Sequence, residues 1–526
     1  MAALEQELFA SGLPVEALME KAALAVVARL RQADWWELLL HRGALVLVGP
    51  GHNGGDGLVV ARELQLAGIA VRLWCPFSRR KPLTEAHWRH ARWLGIPALE
   101  AAPAAADPAV WIDALFGIGQ RRPLEEPIAA LLEQRRGCSH HAGSGAGPLL
   151  AIDVPSGLCA DSGRALGGYA AAAQLTCCIG LIKQGLVQDT ALAWVGELER
   201  IDLGLAPALL RSLPPTQPLL LRPGDRAQAP WPALPAAASK YGRGRLLVIA
   251  GSDAYRGAAR LCLEGASASG CGSLRAAVPK AVAEALWQTL PHVVVSAGLP
   301  ANSAGGLDLS ALTLDSLERL DAIVLGPGLG PGLKPELGPG LGPGLESPPT
   351  GVGPEGFEDQ QIWTRLQSFA GLLLLDADGL NRLGQRTAAE RWLRQRQGAT
   401  WITPHAGEFA RLFPDLVDQP PLEAASAAAT RSGCTVLLKG ARTVIAAPDG
   451  RRWQLRWAQP AAARAGLGDV LAGYAAGRGA MALAAGAQAD PPLLAAAALE
   501  HAMAGETGGP AMAVAHALHP QTPNNQ

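Results

Sequence analysis

The sequence predicts two α/β domains, each built around a parallel sheet. Short apolar segments alternate with amphipathic stretches, and this alternation is typical of βαβ units. The chain has 526 residues, 49% of them hydrophobic, which is too long for a single core and apolar enough for more than one. Prolines accumulate between Pro214 and Pro235, where we expect a semi-rigid linker between the two series.

Composition excludes several classes of function. Charged residues make up only 17% of the chain and the formal net charge is −1, which argues against a nucleic-acid or polybasic membrane partner. No uninterrupted apolar run is long enough to span a bilayer, and Glu5 and Glu7 lie where a secretory signal would carry bases. The eight cysteines include no Cys-x-x-Cys pair. We therefore expect a reduced, cytoplasmic enzyme.

The first series contains five apolar segments that read as strands, with helical stretches such as Leu58–Ala67 and Glu85–Leu94 between them. The five predicted strands are Ala44–Val48, Val71–Cys75, Val110–Leu115, Leu149–Val154 and Leu175–Ile179. Gly137–Pro148 interrupts the series with Gly, Ser, Ala and two histidines. A mobile surface loop is the expected structure there, in preference to a metal site.

The second series begins after the proline-rich stretch. Its predicted strands are Arg245–Ala250, Leu274–Val278, Ala322–Leu325, Leu372–Asp376, Thr400–Thr403 and Thr435–Leu438. Gly326–Gly344 starts as a turn and then repeats Gly-Pro-Gly-Leu, followed by a Pro/Gly-rich tail. Such a composition cannot build a core, so we expect a low-complexity insert at about 331–356 that is mostly disordered.

Polar residues follow several strands of the first series. Gly49–Gly57 joins a strand to a helix, Asp113 closes the next central strand, and Asp153 is followed by the tight turn that contains Ser156. Ligands of open α/β sheets bind beyond the carboxyl ends of the strands, so we expect these residues to share one rim. Their hard oxygen donors suit an alkali or alkaline-earth cation. Taken singly, each aspartate could instead cap a turn or a helix.

These motifs, with Gly57–Arg62, Asp113–Gly117 and Asp153–Gly157, resemble the NAD(P)H-hydrate epimerase domain. The resemblance implies a Rossmann-like, three-layer domain that interconverts the R and S epimers of hydrated NAD(P)H. It places K⁺ on Asn53, Asp113 and Ser156. The residues it places on the hydrate are His52, Asn53, Gly54, Gly55, Asp56, Gly117, Ile118, Gly119, Gln120, Arg121, Arg122, Pro123 and Asp153. His52 stands where the family usually has asparagine.

Asp153 is the predicted catalytic residue of this half. Epimerisation at the carbon beside the ring nitrogen needs a group that shuttles a proton as the hydroxyl leaves and returns. Burial would raise the pKa of an aspartate in such a pocket toward a useful range.

The segment Ala465–Gly473 carries the sharpest signal in the second half. Gly466 and Gly468 permit a tight turn, and the helix that follows offers unpaired N–H groups and a partial positive charge to an anion. Asp469 lies at that end, where it could take a proton from a hydroxyl. The alternative is a capping aspartate after a tight turn.

Six landmarks of the second half occur in the order found in the ADP-dependent NAD(P)H-hydrate dehydratase domain, which the segment resembles. They are Lys240–Gly244, Gly251–Ala258, Asp376–Asn381, Thr403–Glu408, Leu438–Thr443 and the Gly466–Asp469 turn. The resemblance implies a ribokinase-like fold, with Asp469 as catalytic base. It places Ala258, Gly328, His405 and Asp469 on the hydrate. It assigns Lys439, Gly440, Ala441, Arg442, Thr443 and Gly468 to the nucleotide, with Mg²⁺ present. Leu467 replaces the family's usual threonine.

The sequence thus predicts an epimerase domain at 1–222, a linker at 223–239 and a dehydratase domain at 240–518. Together they would repair hydrated NAD(P)H, using ADP and releasing AMP and phosphate. Two alternatives stay open: a ribokinase-like kinase of a small-molecule alcohol (a vitamin or sugar) with a structural N-terminal domain, and a non-enzymatic nucleotide sensor. Cores of this kind also often pair, so a homo-oligomer stays open.

Overall fold

The computed structural model describes residues 1–139, 145–233, 237–313, 317–332, 360–386, 388–458, 460, 463–506 and 508–519. The chain forms two compact units, Met1–Pro214 and Pro215–Gln526. Both are mixed α/β structures, which confirms the predicted fold class. Within the described ranges, no helix combines the length and hydropathy of a membrane span.

The first unit contains a parallel seven-stranded sheet in the order β3-β2-β1-β4-β5-β6-β7. The order reverses between β1 and β4, as it does in Rossmann-like sheets. The strands are β1 (Ala44–Val48), β2 (Val71–Trp74), β3 (Ala98–Leu99), β4 (Val110–Ala114), β5 (Leu149–Ile152), β6 (Leu175–Ile179) and β7 (Glu197–Ile201). Every residue of β1, β4, β5 and β6 is buried, because helices cover both faces of the sheet.

Eight helices belong to this unit within its described residues. They are α1 (Ala2–Ala10), α2 (Val15–Arg31), α3 (Trp35–Arg42), α4 (His52–Leu66), α5 (Pro82–Trp93), α6 (Glu126–Ser139), α7 (Leu192–Val195) and α8 (Pro207–Arg211). The core on one face of the sheet is formed by side chains of α2 and α4 against the strands.

The second unit contains a ten-stranded sheet in the order β11-β10-β9-β12-β13-β14-β15-β16-β17-β8. The strands are β8 (Leu219–Leu221), β9 (Arg245–Ile249), β10 (Ser273–Pro279), β11 (Val294–Leu299), β12 (Ala322–Leu325), β13 (Leu372–Leu375), β14 (Thr400–Ile402), β15 (Thr435–Leu438), β16 (Val444–Ala446) and β17 (Arg452–Leu455). The pairs β15–β16 and β16–β17 are antiparallel and the rest are parallel.

The described helices of this unit lie on both faces of the sheet, with core clusters on each side. They are α9 (Arg256–Ala268), α10 (Lys280–Ala285), α11 (Gln360–Ser368), α12 (Ala377–Gly384), α13 (Ala389–Arg394), α14 (Ala406–Leu412), α15 (Pro421–Ser432), α16 (Leu467–Ala484), α17 (Pro491–Gly505) and α18 (Ala511–Ala517).

All eleven predicted strands are present within one or two residues, but two helices begin earlier than predicted. Helix α4 begins at His52 and not at Leu58, because Gly54 lets the first turn pack on the strand end: a Cβ there would lie 2.0 Å from the Gly49 carbonyl oxygen. The sequence predicts that helix α16 starts at Val470, but it begins three residues earlier, at Leu467. Gly466 adopts φ +89° and turns the chain directly into the helix.

The unit boundary and the first insert also differ from the sequence prediction. Leu219–Leu221, placed in the first domain by sequence, pairs in parallel with β17 and so extends the second sheet. Gly137–Ser139 continues helix α6, where a loop had been expected. His140 and His141, and residues 333–356 of the low-complexity insert, lie outside the described residues.

The buried carboxylate of Glu500 anchors the proline-rich stretch to helices α16 and α17. Glu500 on α17 accepts hydrogen bonds from the Tyr474 hydroxyl on α16 and, at 3.2 Å, from Trp231 Nε1. The guanidinium groups of Arg226 and Arg478 lie 3.6 Å from it, and Arg478 also stacks on Trp231. The proline-rich stretch up to Trp231 is therefore part of the second unit's fold.

Replacing Glu500 with alanine should destabilise the second unit by about 3 kcal/mol, since Tyr474 would lose its buried acceptor and Arg478 its ion-pair partner. Urea unfolding followed by Trp fluorescence measures this. Glu284→Ala, on the exposed surface of α10, is the matched control and should change stability by less than about 0.5 kcal/mol. Equal stabilities for the two variants would contradict the anchoring role.

Candidate active sites

The first candidate site lies at the carboxyl ends of β1, β4 and β5. The strand order reverses between β1 and β4, so the loops after these two strands diverge and leave a crevice between them. Asn53 and Asp56 lie in the first turns of α4, directly after β1. The structure thus places them beside the end of β4, which carries Asp113, as the sequence predicts.

Asp113 and Ser156 form a buried pair in this crevice. Ser156 donates to the Asp113 carboxylate twice, from its hydroxyl at 2.7 Å and from its backbone N–H at 2.8 Å. The Leu115 N–H donates to the same carboxylate, and the Phe116 N–H donates to the Ser156 hydroxyl oxygen. Burial raises the pKa of Asp113, although these hydrogen bonds work in the opposite direction.

Asp153 is held by a lysine that the sequence prediction missed. Lys183 forms a buried ion pair with Asp153 Oδ1 and donates a further hydrogen bond to the Ile179 carbonyl. The Ile179 N–H also donates to Oδ1, at 3.3 Å. Asp153 adopts φ +70°, a left-handed conformation that costs a non-glycine residue energy and that occurs preferentially at functional sites.

The other carboxylate oxygen, Oδ2 of Asp153, faces the loop after β4. A Cβ on Gly117 would lie 3.2 Å from that oxygen and 3.4 Å from Asn53 Cγ. Gly117, Asn53 and Asp153 therefore meet, and a side chain at position 117 would crowd the Asp153 carboxylate. Asn53 Nδ2 is buried and has no hydrogen-bond partner among the described residues.

The pKa values of two more carboxylates, Asp56 and Glu5, are affected by this pair. Burial raises the pKa of Asp56 well above its usual range, and the charges of Asp153 and Glu5 raise it further. Burial, and then the charge of Asp153, also raises the pKa of Glu5 on α1. Burial and the charge of Asp153 thus act in the same direction on both acids.

The loop from Gly117 to Pro123 is only partly turned toward the crevice. Gln120 accepts a hydrogen bond from the Gly157 N–H at 2.8 Å, which ties this loop to the turn after β5. Arg121 instead pairs with Asp161 on the surface, and Arg122 is exposed. The hydrate contacts predicted for these two arginines stay predictions.

The second candidate site is a cavity of about 700 Å³. It opens beyond β9 and β12, where the order of the second sheet reverses. Ala258, Gly328 and Asp469, three of the four residues predicted to face the hydrate, line it together. A Cβ on Gly328 would lie 2.6 Å from the Ala258 Cβ, so the glycine keeps this wall open.

Beside the cavity lies a second buried lysine–aspartate pair. Lys439 Nζ lies 2.6 Å from Asp376 Oδ1, and Asp376 is 1% exposed. A Cβ on Gly468 would lie 3.3 Å from Lys439 Nζ, so the first turn of α16 presents its backbone to the ammonium group. Because the Leu467 side chain is buried in the core, the polar groups that this turn offers at position 467 are those of the backbone.

The Asp469 carboxylate is partly buried and lies near the positive charge of Lys439 and the negative charge of Asp376. Burial and the charge of Asp376 raise its pKa to about 7, although Lys439 works in the opposite direction. The N-cap residue of α16 is Gly466, with no side-chain cap, so the capping role considered for Asp469 is not the one it has here. Its carboxylate instead lines the cavity.

The remaining predicted residues surround this centre. His405 is the N-cap of α14: its Nδ1 accepts from the Gly407 N–H at 2.9 Å, and its Nε2 lies 3.0 Å from Glu408 Oε1. His405 is not among the residues that line the cavity, although it forms a β-bridge with Lys439. Lys439 to Thr443 form the turn between β15 and β16, in which Arg442 is buried and Gly440 and Ala441 are exposed.

Several site residues were not singled out by the sequence reasoning. They are Glu5 and Lys183 in the first unit and Tyr255, Arg382 and Arg411 in the second. The sequence offers a signal for one of them, because Lys183 follows the apolar strand β6. The positions of the other four depend on tertiary packing.

No group of three or more His, Cys, Asp or Glu side chains in the described parts of the chain is arranged to hold a metal ion. Asp113 nevertheless has no cationic side chain among the groups that shift its pKa, and its hydrogen-bond partners are the Ser156 hydroxyl and the backbone N–H groups of Ser156 and Leu115. A carboxylate and a hydroxyl are hard oxygen ligands of the kind that an alkali cation takes.

Two family models match the chain. Residues 15–185 match the YjeF-related protein N-terminus, and residues 246–335 and 339–518 match NAD(P)H-hydrate dehydratase. The bifunctional NAD(P)H-hydrate repair enzyme Nnr of Gloeobacter violaceus is 41% identical over 96% of this chain and 91% of its own length. That of Synechocystis is 40% identical over 91% of this chain and 84% of its own length.

A solved structure with a similar arrangement is the ADP/ATP-dependent NAD(P)H-hydrate dehydratase of Bacillus subtilis, co-crystallised with ATP and Mg²⁺. It is 24% identical, with a TM-score of 0.44, and the match covers 57% of this chain and 96% of that one.

The raised pKa of Asp469 predicts a pH-dependent gain in stability on its replacement. The folded state binds the proton of Asp469 more tightly than the unfolded state, so stability is lost as the pH rises from about 4 through about 7. Asp469→Asn should match the wild type near pH 4 and exceed it by about 2 kcal/mol at pH 8. Calorimetric Tm values across this range measure the difference, with Asp490→Asn, an exposed residue of the same unit, as the control. A variant no more stable than the wild type at pH 8 would contradict the raised pKa.

Proposed function

The chain belongs to the family of bifunctional NAD(P)H-hydrate repair enzymes, and we propose how its two units divide the work. The first unit interconverts the R and S epimers of hydrated NAD(P)H. The second unit dehydrates the S form with ADP, which leaves NAD(P)H, AMP and phosphate. The observation that carries this proposal is Asp469, a carboxylate with a pKa near 7 on the wall of a cavity, next to a helix N-terminus and Lys439.

In the proposed dehydration, Asp469 accepts the proton of the ring hydroxyl, whose oxygen then attacks the β-phosphorus of ADP. The bond between that phosphorus and the bridging oxygen breaks, and AMP leaves. The phosphorylated oxygen is a good leaving group, so the electron pair of the ring nitrogen expels it as phosphate and a ring proton is lost. A base with a pKa near the working pH suits the first step.

The chain's own groups stabilise the charge that moves during this transfer. The first turn of α16 has N–H groups without a helical partner, and a Cβ on Gly468 in this turn would lie 3.3 Å from Lys439 Nζ, which supports an anion seat made by the turn and the lysine. Asp376 holds Lys439 in place through the 2.6 Å ion pair. We assign the turn Lys439–Thr443 and Gly468 to the nucleotide.

Mg²⁺ fits this site as an ion carried in by the nucleotide. Such ions are usually held by one or two carboxylates and by the phosphates of the substrate, so a prebuilt cluster of protein ligands is not needed. Asp376 is the buried carboxylate beside the seat and would hold the ion with the phosphates. When bound, it supplies positive charge to the phosphoryl oxygens.

In the proposed epimerisation, Asp153 shuttles the proton. Lys183 and the Ile179 N–H hold Oδ1, which leaves Oδ2 facing Gly117 and Asn53, where the hydrated ring would lie. Asp56, whose pKa is raised, is suited to protonate the departing hydroxyl, so that the C–O bond breaks, water leaves and the lone pair of the ring nitrogen stabilises the resulting cation. Water then adds to the other face of the ring and gives its proton to Asp153, and solvent returns a proton from Asp153 to Asp56.

A potassium ion at Asp113, Asn53 and Ser156 would complete this site. The buried Asp113 carboxylate lacks a cationic side chain to offset its charge, and a monovalent cation would provide that charge. We place the whole activity in the cytoplasm, in agreement with eight cysteines that are all free thiols.

Asp469→Asn should lower the kcat of dehydration by 10²- to 10⁴-fold, because the amide cannot accept the proton of the hydroxyl. Nucleotide affinity should stay within about threefold, and the wild-type rate should rise with pH through about 7 as the carboxylate ionises. Steady-state assays with the S epimer and equilibrium binding of ADP measure these effects. Asp490→Asn is the control. A variant with normal turnover would rule out the base role.

Asp153→Asn should abolish epimerisation, by at least about 10²-fold, and leave dehydration of the S epimer unchanged. Chromatographic separation of the R and S epimers over time measures the first, and recovery of the dihydronicotinamide absorbance measures the second. Asp34→Asn, an exposed carboxylate of the same unit, should leave both rates unchanged. Normal epimerisation by Asp153→Asn would refute the assignment.

A further inference from the structure

We propose that Arg411 binds the pyrophosphate of the hydrated dinucleotide in the cavity of the second unit. The inference rests on the proposed function, because it takes the substrate of that cavity to be a nicotinamide dinucleotide. Arg411 lies on α14 and lines the same cavity as Asp469. A ring held at Asp469 would leave the rest of the dinucleotide to extend along this wall.

The guanidinium of Arg411 is aimed by a chain of hydrogen bonds. Its Nε donates to Asn381 Oδ1 at 2.9 Å, and Asn381 Nδ2 donates to Asp378 Oδ1 at 3.1 Å. Asp378 is fixed in turn, since its Oδ2 accepts from the Gly330 N–H at 2.8 Å. Asn381, Asp378 and Gly330 all line the cavity. The orientation of Arg411 is thus determined by the wall itself.

This anchoring uses only one of the three nitrogens of Arg411. The two terminal nitrogens have no hydrogen-bond acceptor among the described residues, and the side chain is solvent-exposed. The other arginine on the wall, Arg382, is committed to the structure: it is buried and donates to the carbonyls of Leu307, Leu329 and Gly330. Arg411 is therefore the cation of this wall that is available to a ligand.

A ligand phosphate matches what Arg411 presents. Two parallel N–H groups of a guanidinium fit two oxygens of a phosphate, and such charge-assisted pairs are among the stronger hydrogen bonds in proteins. The phosphate beside Asp469 is that of ADP in the proposed reaction, with Lys439 to offset its charge, so Arg411 is the cation on the cavity wall that is left for the pyrophosphate of the hydrate.

The test compares two substrates at saturating ADP: S-hydrated NADH and the hydrated dihydronicotinamide riboside, which has no phosphate. Arg411→Gln should raise the KM for the hydrated dinucleotide about 10- to 100-fold, with kcat within about twofold. Its kcat/KM for the riboside should equal that of the wild type. Arg391→Gln, an exposed arginine on α13, is the control and should change neither.

An unchanged KM for the dinucleotide would overturn the proposal, as would an equal loss with the riboside or a raised KM for ADP in place of the hydrate. Arg411→Lys keeps the charge without the fork and should raise the dinucleotide KM by less; this variant decides the question if Arg411→Gln does not fold. Failure of the proposed function is distinguishable, because the wild type itself would then dehydrate neither substrate.

Discussion

In each unit, a lysine–aspartate pair at the carboxyl ends of the strands lies beside a further carboxylate whose pKa is raised. Lys183 pairs with Asp153 in the first unit, and Lys439 pairs with Asp376 in the second. Each pair offsets the cost of burying one carboxylate. The acids left beside it, Asp56 and Asp469, have no such partner, and burial together with the negative charge of the paired aspartate raises their pKa. Each unit therefore has a carboxylate that can bind a proton beside a fixed ion pair. Both proposed reactions need such a carboxylate.

The backbone makes these arrangements available through glycines at close contacts. Gly326 lets the end of β12 approach the Asp376 carbonyl, where a Cβ would lie 1.7 Å from the oxygen. Gly54 does the same at the start of α4, and Gly117 leaves the space between Asn53 and Asp153. In both units these contacts lie where the strand order reverses, so the topology opens a crevice and the glycines bring polar groups to its edge.

Much of this could be predicted from sequence because it is local. Apolar segments located the central strands, glycine next to an acid located the turns at Asp56 and Asp469, and Pro155-Ser156-Gly157 located the turn after Asp153. The edge strands β3 and β8 were missed because they are short, and the edge strands β7 and β11 because most of their residues are not buried. Strands β16 and β17 were missed because they follow the Lys439 turn with little apolar pattern of their own. Lys183, Glu5 and Arg411 reach their sites from distant parts of the chain, and their roles depend on contacts that no spacing encodes. His405 shows the converse: a histidine in a suggestive motif whose side chain caps a helix and pairs with Glu408.

The central claim is that one chain carries two successive sites for one damaged metabolite. The most direct measurement incubates the full-length protein with an equal mixture of R- and S-hydrated NADH and excess ADP, and quantifies NADH, AMP and phosphate together. The account predicts that both epimers are consumed and that one AMP and one phosphate appear for each NADH restored. Recovery that stops when the S epimer is exhausted, or NADH formed without matching AMP, would contradict it.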